Sequence, residues 1–398
     1  MGPHLGKANP ENAKGSIIVK KFAFAFLAFA AAAGCAFAAP RGKVSWPENS
    51  DVLDNTTKEN THYYNDKKDK EGNPYVEYIR DKVLTPEQLA KTAEAAPKRL
   101  LVKPRKVRHF LVWDRTDGFR HTEGIPAFRA YLEAMEKNSG GMWKMHFTSD
   151  RREFETLESL KKYDCVIINN CTGRFFVSYK KDRAEMTGEE RRADDEMNIV
   201  CRDNLIKYVA EGGGIMGAHA ACDAMDVKNG KDPDEKFPAY PEMMGGRFAG
   251  HPWGAGNPEE TFIIEDPRNP VLKGIWSGDE FKLQDEIYTF IEEYGYNRNK
   301  QRILISLDFD RSPLGNGDDP MKHTRRKTKD FGVAWLKNFG KGRIFYGAFG
   351  HRLDVYWRNP EVCEMYMRGL QFASGDLTLR KSEVEPLGDK ALKGRGRK

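Results

Sequence analysis

Residues 212–223 read GGGIMGAHAACD, and this stretch decides the fold. A short apolar strand, 214–218, runs into small residues and then into a predicted helix. A sharp strand-to-helix turn needs small neighbours, because its central residue takes a strained backbone conformation with its side chain above the carboxyl edge of a sheet. That central residue is His219. The stretch therefore predicts a strand-turn-helix elbow with an imidazole at its tip.

Short apolar runs alternate with amphipathic segments on both sides of this elbow. The predicted strands are 107–113, 143–148, 165–169, 214–218, 261–265, 303–308, 332–337 and 343–347, and the predicted helices are 125–137, 154–161, 195–211 and 360–374. The last two strands are expected to form a hairpin through 338–340. This alternation is typical of an α/β domain with a mostly parallel sheet flanked by helices, which we place at residues 106–376.

Four histidines each follow a predicted strand or a turn of small residues: His121, His219, His251 and His351. Positions of this kind meet at one edge of a parallel sheet. Imidazole exchanges protons near neutral pH and is a common metal ligand. One such histidine alone is explained equally well as a helix cap or a polar core residue, but four together favour an acid/base site or a divalent metal site.

Three carboxylates accompany these histidines, namely Asp223, Asp285 and Glu286. Such groups orient an imidazole, bind sugar hydroxyls or complete a metal site, and the sequence does not separate these roles. By contrast, His109 and His146 lie inside predicted strands and are interpreted as structural.

Aromatic and cationic residues lie near the same motifs. The aromatic side chains suit stacking on a sugar ring, although core packing explains them equally well: Phe119, Phe248, Trp253, Tyr288 and Tyr356. Arg120 and Arg352 flank two of the histidines and suit an anion or a carbonyl oxygen, with surface salt bridging as the alternative.

Five motifs resemble those of the trehalose-utilisation (ThuA-like) family, a branch of the class I glutamine amidotransferase-like superfamily. They are GGGIMGAHAACD, DGFRHTEGIP at 117–126, GRFAGHP at 246–252, DEIYTF at 285–290 and AFGH at 348–351. The resemblance covers residues 107–375. It implies a flavodoxin-like, class I glutamine amidotransferase-like fold and a role in the breakdown of trehalose or related glycosides.

The resemblance also frames the chemistry. Amidotransferases place a nucleophilic cysteine at the elbow, where this chain has His219, with Cys222 three residues later, so hydrolysis through Cys222 is the least favoured hypothesis. The leading hypothesis is an enzyme acting on a disaccharide or keto-sugar, and the alternative is a non-catalytic carbohydrate-binding module. The expected catalytic residues are His219, His121, Asp223 and Glu286. The expected substrate-binding residues are His351, Arg120, Asp285, Tyr288 and Trp253. The candidate cofactor is a divalent metal, with His121, His219, His251 and His351 as its expected ligands.

The segments outside the domain have their own signals. Residues 1–39 carry a Lys-Lys pair, an apolar run and AFA before Pro40, which predicts a signal peptide and export to the periplasm or outside the cell. A lipid anchor on Cys35 is the alternative. Residues 40–105 are expected to be an extended arm or linker with one helix at 85–95, and 377–398 a loosely attached charged tail. The charged insertion 172–194 is typical of a lid or a partner-binding element.

Composition excludes several classes of function. The net charge is +6, from 65 basic and 59 acidic residues, and much of the surplus lies at the two ends, so we predict no nucleic-acid surface. No apolar run after the predicted signal peptide approaches the roughly 20 residues that span a bilayer. Scattered cysteines without a CxxC motif indicate neither a disulfide framework nor a zinc knuckle. The predicted partner is a small carbohydrate, and homo-oligomerisation is left open.

Overall fold

The computed structural model describes residues 61–68, 74–78, 81–178, 180–225, 239–291, 295–313 and 329–388. The predicted signal peptide, Cys35 and the last ten residues of the predicted tail lie outside this part of the chain. Among the described residues, no helix has the length and apolar character needed to cross a membrane.

A nine-stranded sheet forms the centre of the domain. In spatial order its strands are β4 (Trp143–Thr148), β3 (Arg108–Trp113), β5 (Cys165–Asn169), β6 (Gly214–Ala218), β13 (Gly342–Gly347), β12 (Gly332–Phe339), β11 (Arg302–Leu307), β8 (Glu260–Ile264) and β9 (Glu280–Leu283). Two small antiparallel sheets pair β1 (Thr61–Lys68) with β2 (Pro74–Tyr78), and β7 (Phe248–Trp253) with β10 (Ile287–Phe290).

The described residues form nine α-helices. They are α1 (Pro86–Ala95), α2 (Gly124–Asn138), α3 (Leu157–Leu160), α4 (Lys180–Glu185), α5 (Gly188–Ala210), α6 (Ala239–Met244), α7 (Val355–Arg358), α8 (Pro360–Ala373) and α9 (Lys381–Val384). Helix α8 contacts β13 and β6, and α2 contacts β4 and β5. All five residues of β5 are buried, as expected for a strand covered on both faces.

The five strands β4, β3, β5, β6 and β13 are parallel, whereas β12, β11, β8 and β9 are antiparallel to their neighbours. The predicted α/β fold is confirmed, and its parallel part carries the carboxyl ends that were expected to form a site. The predicted hairpin is also present, with β12 and β13 joined through Gly340 at φ 59°. A positive φ is easy for glycine because it has no Cβ.

Several elements differ from the expectation. The elbow continues into one 3₁₀ turn, His219–Cys222, rather than an α-helix. Helix α5 begins at Gly188 because Thr187 and Glu190 form a capping box there, so the end of the predicted 172–194 insertion is helical. The predicted helix at 154–161 is a 3₁₀ turn, Arg151–Phe154, followed by the short α3. Strands β7, β9 and β10 were not predicted, since they are short and β7 contains a proline.

Both flanking segments are more structured than expected. In the predicted arm, the hairpin of β1 and β2 precedes the predicted helix α1, and the buried Asp81 binds Arg120 of the domain. In the predicted tail, Arg302 donates hydrogen bonds to the Ser382 and Glu385 carbonyls, and Val384 is buried. The expectation of a loosely attached tail is therefore wrong for its described residues, because apolar burial and backbone hydrogen bonds hold them.

Candidate active site

Three histidines meet at the carboxyl edge of the parallel strands. His121 follows β3, His219 follows β6 and His351 follows β13. Their ring centroids lie 4.8 Å apart for His121 and His219, 5.0 Å for His121 and His351, and 5.3 Å for His219 and His351. These three histidines therefore lie together at one edge of the sheet, as expected from the strands that they follow.

His219 is held in one orientation by the elbow. Its φ of 44° lies in the left-handed region, and the Tyr346 hydroxyl donates a 2.6 Å hydrogen bond to its carbonyl. His219 Nδ1 lies 2.8 Å from the Ala348 carbonyl oxygen. A carbonyl can only accept, so Nδ1 carries the hydrogen and, in the neutral ring, Nε2 keeps a lone pair. The Ala348 carbonyl was missed from the sequence, because a backbone group leaves no residue-type signal.

Glu286 is the common neighbour of the histidines. It enters from the loop before β10 rather than from the central sheet. Its Oε2 lies 3.0 Å from His351 Nδ1, 3.3 Å from His219 Nε2 and 3.9 Å from His121 Nε2. His121, His219, His351 and Glu286 each offer one donor atom, and these four atoms lie within 4.8 Å of one another. We call these four residues the His₃Glu cluster.

Burial sets the charges in the cluster. Desolvation lowers the pKa of His121 to about 3, so its ring is neutral at physiological pH. Burial alone would raise the pKa of Glu286, but hydrogen bonding to the surrounding imidazoles holds it well below its ordinary value, and Glu286 is ionised. Burial opposes protonation of His351, but the Glu286 carboxylate outweighs it and raises the pKa of His351.

The geometry of the cluster suits a divalent metal. In a tetrahedral site with metal bonds of 2.0–2.1 Å, neighbouring ligand atoms are about 3.3 Å apart. The distances from Glu286 Oε2 to the three imidazoles, 3.0 to 3.9 Å, bracket that value. A metal-bound histidine usually donates its second ring N–H to a carbonyl or a carboxylate, and His219 does so to Ala348. The residues present therefore fit a metal.

His251 lies at the rim instead of inside the cluster. It belongs to β7, its side chain is 53% exposed, and its Nδ1 is 3.7 Å from the other Glu286 oxygen, Oε1. Tyr288 of β10 is buried, with its hydroxyl 3.3 Å from His121 Nε2 and its ring centroid 4.6 Å from His219. Both residues contact the cluster, His251 from solvent and Tyr288 from the core.

Asp285 supports the loop that carries His351. Its buried carboxylate accepts backbone hydrogen bonds from Gly350 (2.5 Å), His351 (3.3 Å) and Arg352 (2.9 Å). Burial raises the pKa of Asp285, and these hydrogen bonds oppose that rise. The expected substrate-binding role is corrected here: both carboxylate oxygens are used by the protein backbone, so Asp285 positions His351.

Three further expectations change with the structure. Arg120 is buried and forms a bidentate ion pair with Asp81 at 2.5 and 2.6 Å. Its guanidinium therefore binds the segment before α1 to the domain and is not a substrate ligand. Trp253 is fully buried against Phe331 and belongs to the core. Asp223 lies at the end of the elbow turn, partly buried, and is not one of the four converging donors.

The expected structural residues are as predicted. Cys222 is buried, and desolvation holds the pKa of its thiol well above the ordinary value, which disfavours the reactive thiolate. His109 and His146 stack with their ring centroids 5.2 Å apart and share a 2.9 Å hydrogen bond on neighbouring strands. Both lie within β3 and β4 and not among the histidines of the carboxyl edge.

Comparison with known proteins agrees with the sequence motifs. The family model described as "Trehalose utilisation" matches residues 109–373, more than half of the chain. Among solved structures, a ThuA-like protein from Bacteroides uniformis is 20% identical with a TM-score of 0.49, over 72% of this chain and 96% of that one. Another from Parabacteroides merdae is 16% identical with a TM-score of 0.43, over 70% and 93%. No curated protein sequence matches the chain.

Proposed function

The chain belongs to the trehalose-utilisation (ThuA) family, and from this premise we propose that it is a carbohydrate-active enzyme whose His₃Glu cluster holds a divalent metal ion. One observation carries the proposal. Three imidazoles and one carboxylate each offer a donor atom, and these four atoms lie within 4.8 Å of one another at the carboxyl edge of the parallel strands. The hydrogen bond from His219 Nδ1 to the Ala348 carbonyl leaves His219 Nε2 as the atom that faces Glu286 Oε2, at 3.3 Å. Imidazole and carboxylate ligands together favour a first-row transition metal such as zinc.

We propose a disaccharide or its keto derivative as the substrate. A metal in the cluster would act as a Lewis acid on a substrate oxygen. The protein itself supplies proton-transfer groups on either side: the Tyr288 hydroxyl near His121, and the half-exposed His251 at the rim. Removal of a proton next to a ketone, leading to isomerisation or elimination, is the reaction class that these groups suit. In this proposal His219 is a ligand rather than the general base.

Metal analysis of the purified protein tests the proposal. We expect near-stoichiometric metal in the wild-type protein and loss of it in His219→Ala and Glu286→Gln. His251→Ala is the matched control, because His251 contacts Glu286 from outside the cluster and should leave the metal in place. A wild-type protein that stays metal-free after exposure to zinc, manganese or ferrous ions, with folding intact, contradicts the proposal.

A non-catalytic sugar-binding module is the second candidate, favoured by the same family match. Proton exchange separates the two. A keto derivative of trehalose in deuterated water should lose the proton next to its carbonyl when the enzyme is present, and nuclear magnetic resonance detects that loss. Binding of the sugar without any exchange or product would identify the module. Hydrolysis through Cys222 finds no support in a buried, protonated thiol.

We also propose export, with residues 1–39 removed as a signal peptide. Work on sugars outside the cytoplasm agrees with the family's role in trehalose utilisation. The mass of the protein isolated from its own cells tests this. A mature chain that begins near residue 40 supports cleavage, an extra lipid mass on Cys35 indicates the anchored form, and a full-length cytoplasmic chain contradicts export.

A further inference from the structure

One large apolar side chain beside the cluster is left in solvent. Phe119 is 61% exposed, and its ring meets that of His121 edge to face with centroids 5.1 Å apart. Most large aromatic side chains in the described part of the chain are buried, whereas Phe119 is exposed directly beside the buried, polar groups of the cluster. Binding sites commonly place such a ring where an apolar ligand surface will cover it.

The loop of Phe119 is rigid. Thr172 Oγ1 donates a 2.8 Å hydrogen bond to the Phe119 carbonyl, and the backbone N–H of Gly118 donates to the Thr172 carbonyl at 3.2 Å. A Cβ on Gly118 would lie 2.5 Å from Thr172 Oγ1, so the two loops are packed as closely as glycine allows. The backbone that carries the exposed ring is therefore held against the neighbouring loop, which places Phe119 beside the cluster.

Further rings lie around the cluster. The ring of Tyr288 lies 6.4 Å from that of His121 and 6.1 Å from that of the half-exposed His251, between centroids. Phe248 stacks on His251 at 5.8 Å. Of these rings His121 and Tyr288 are buried, whereas Phe119 and His251 reach solvent beside the cluster. Flat rings beside hydroxyl-binding groups suit a sugar, which has an apolar face and polar edges.

The arginines beside the cluster indicate what kind of sugar fits. Two of them flank the histidines, and both are engaged: Arg120 with Asp81, and Arg352 with Asp354 through two 2.9 Å hydrogen bonds. A phosphate group on the sugar would therefore meet two guanidinium groups that are already paired with carboxylates.

We propose that Phe119 is a stacking platform for one ring of a neutral, unphosphorylated saccharide, placed so that the polar edge of that ring faces the His₃Glu cluster. This inference rests on the proposed carbohydrate function and specifies the substrate class and a residue that recognises it. Phe119 binds through its flat face and takes no part in the chemistry.

Ligand-observed nuclear magnetic resonance with trehalose and trehalose 6-phosphate as probes tests this on the full mature protein. We expect trehalose to bind, Phe119→Tyr to keep the affinity, and Phe119→Leu to weaken it about tenfold, which corresponds to about 1.4 kcal/mol. Phe119→Leu keeps an apolar side chain but removes the flat face. Val200→Ala, an exposed apolar residue on α5, is the control and should bind like wild type.

Three results overturn the inference: no trehalose binding by the wild-type protein, equal affinity in Phe119→Leu and Phe119→Tyr, or tighter binding of the phosphorylated probe. Metal content measured on the same samples separates this inference from the proposed function. Phe119→Leu should keep its metal. A metal-free wild-type protein whose trehalose binding still depends on Phe119 would contradict the metal proposal and leave the stacking platform standing.

Discussion

Replacing Gly350 by alanine should destabilise the fold and disturb the cluster together. Gly350 precedes His351 and has φ 117°, a conformation that residues with a side chain rarely adopt. An added Cβ would overlap Tyr356 Oη and lie 2.8 Å from Tyr356 Cζ. The Tyr356 ring is buried against Phe128 and Tyr131, with centroids 5.3 and 5.8 Å away, so it has little room to move.

Backbone strain and overpacking both contribute to the expected loss of stability. Backbone strain of this kind costs about 1–3 kcal/mol, and overpacking a dense core costs a further 1–3 kcal/mol or so. We therefore expect Gly350→Ala to lower the free energy of unfolding by about 2–6 kcal/mol, against the total of about 5–15 kcal/mol that is usual for a protein domain. The proposed metal site should be weakened as well, because Asp285 can no longer hold the same loop geometry around His351.

Urea unfolding, followed by circular dichroism, measures this with two controls. Gly140→Ala has a positive φ of 65° but no atom within 4 Å of the added Cβ, so it reports the backbone term alone, about 1 kcal/mol. Tyr356→Phe removes an oxygen that has no hydrogen-bond partner among the described residues, so adding it to Gly350→Ala should recover part of the loss. If Gly350→Ala is no less stable than Gly140→Ala, the packing described around His351 is incorrect.

Three further predictions concern buried titratable groups. Burial raises the pKa of Glu260 to about 8, so the folded protein favours the neutral carboxyl and loses stability as pH rises from 4.5 through 8. Glu260→Gln should therefore be more stable than wild type by as much as about 4 kcal/mol at pH 8, with little difference at pH 4.5. Urea titrations across that pH range measure this difference. Burial lowers the pKa of Lys337 to about 8, so the folded protein favours the neutral amine. The free energy of unfolding of Lys337→Met should therefore exceed that of wild type by up to about 3 kcal/mol at pH 7, and the difference should disappear by pH 10.5. A difference that does not change with pH would contradict this cause. Iodoacetamide should leave Cys222 unlabelled in the native protein and label it after unfolding, as mass spectrometry would show; rapid native labelling would revive the thiol hypothesis.

The sequence predicted the part of the fold that local patterns control. Continuous apolar runs at 165–169 and 214–218 coincide with β5 and β6, since strands covered on both faces need such runs. The alternating run at 143–148 coincides with the edge strand β4, in which Lys144 and His146 are exposed. The elbow at His219 was also readable, because only small residues tolerate that turn. Strands β7 and β10 were missed, as a pairing between segments some 35 residues apart leaves little local signal in four to six residues.

The candidate site was predictable in its residue types and less so in their roles. His121, His219 and His351 could be placed together because parallel strands share an edge. Glu286 and Asp285 are neighbours with similar chemistry, and only tertiary contacts assign one to the imidazoles and the other to the backbone of 350–352. Arg120 was misassigned because its partner, Asp81, lies 39 residues earlier in a segment that looked like a linker.

The adjacent placement of Asp285 and Glu286 also limits how the chain can vary in length. Surface loops usually tolerate insertions and deletions because their ends can adjust. In this loop, adding or removing one residue would move one carboxylate into the place of the other and a different residue into the place left behind, so the imidazoles and the amides of 350–352 would no longer each have their own carboxylate. A single-residue deletion at 284 should therefore harm the site more than replacing either carboxylate with its amide.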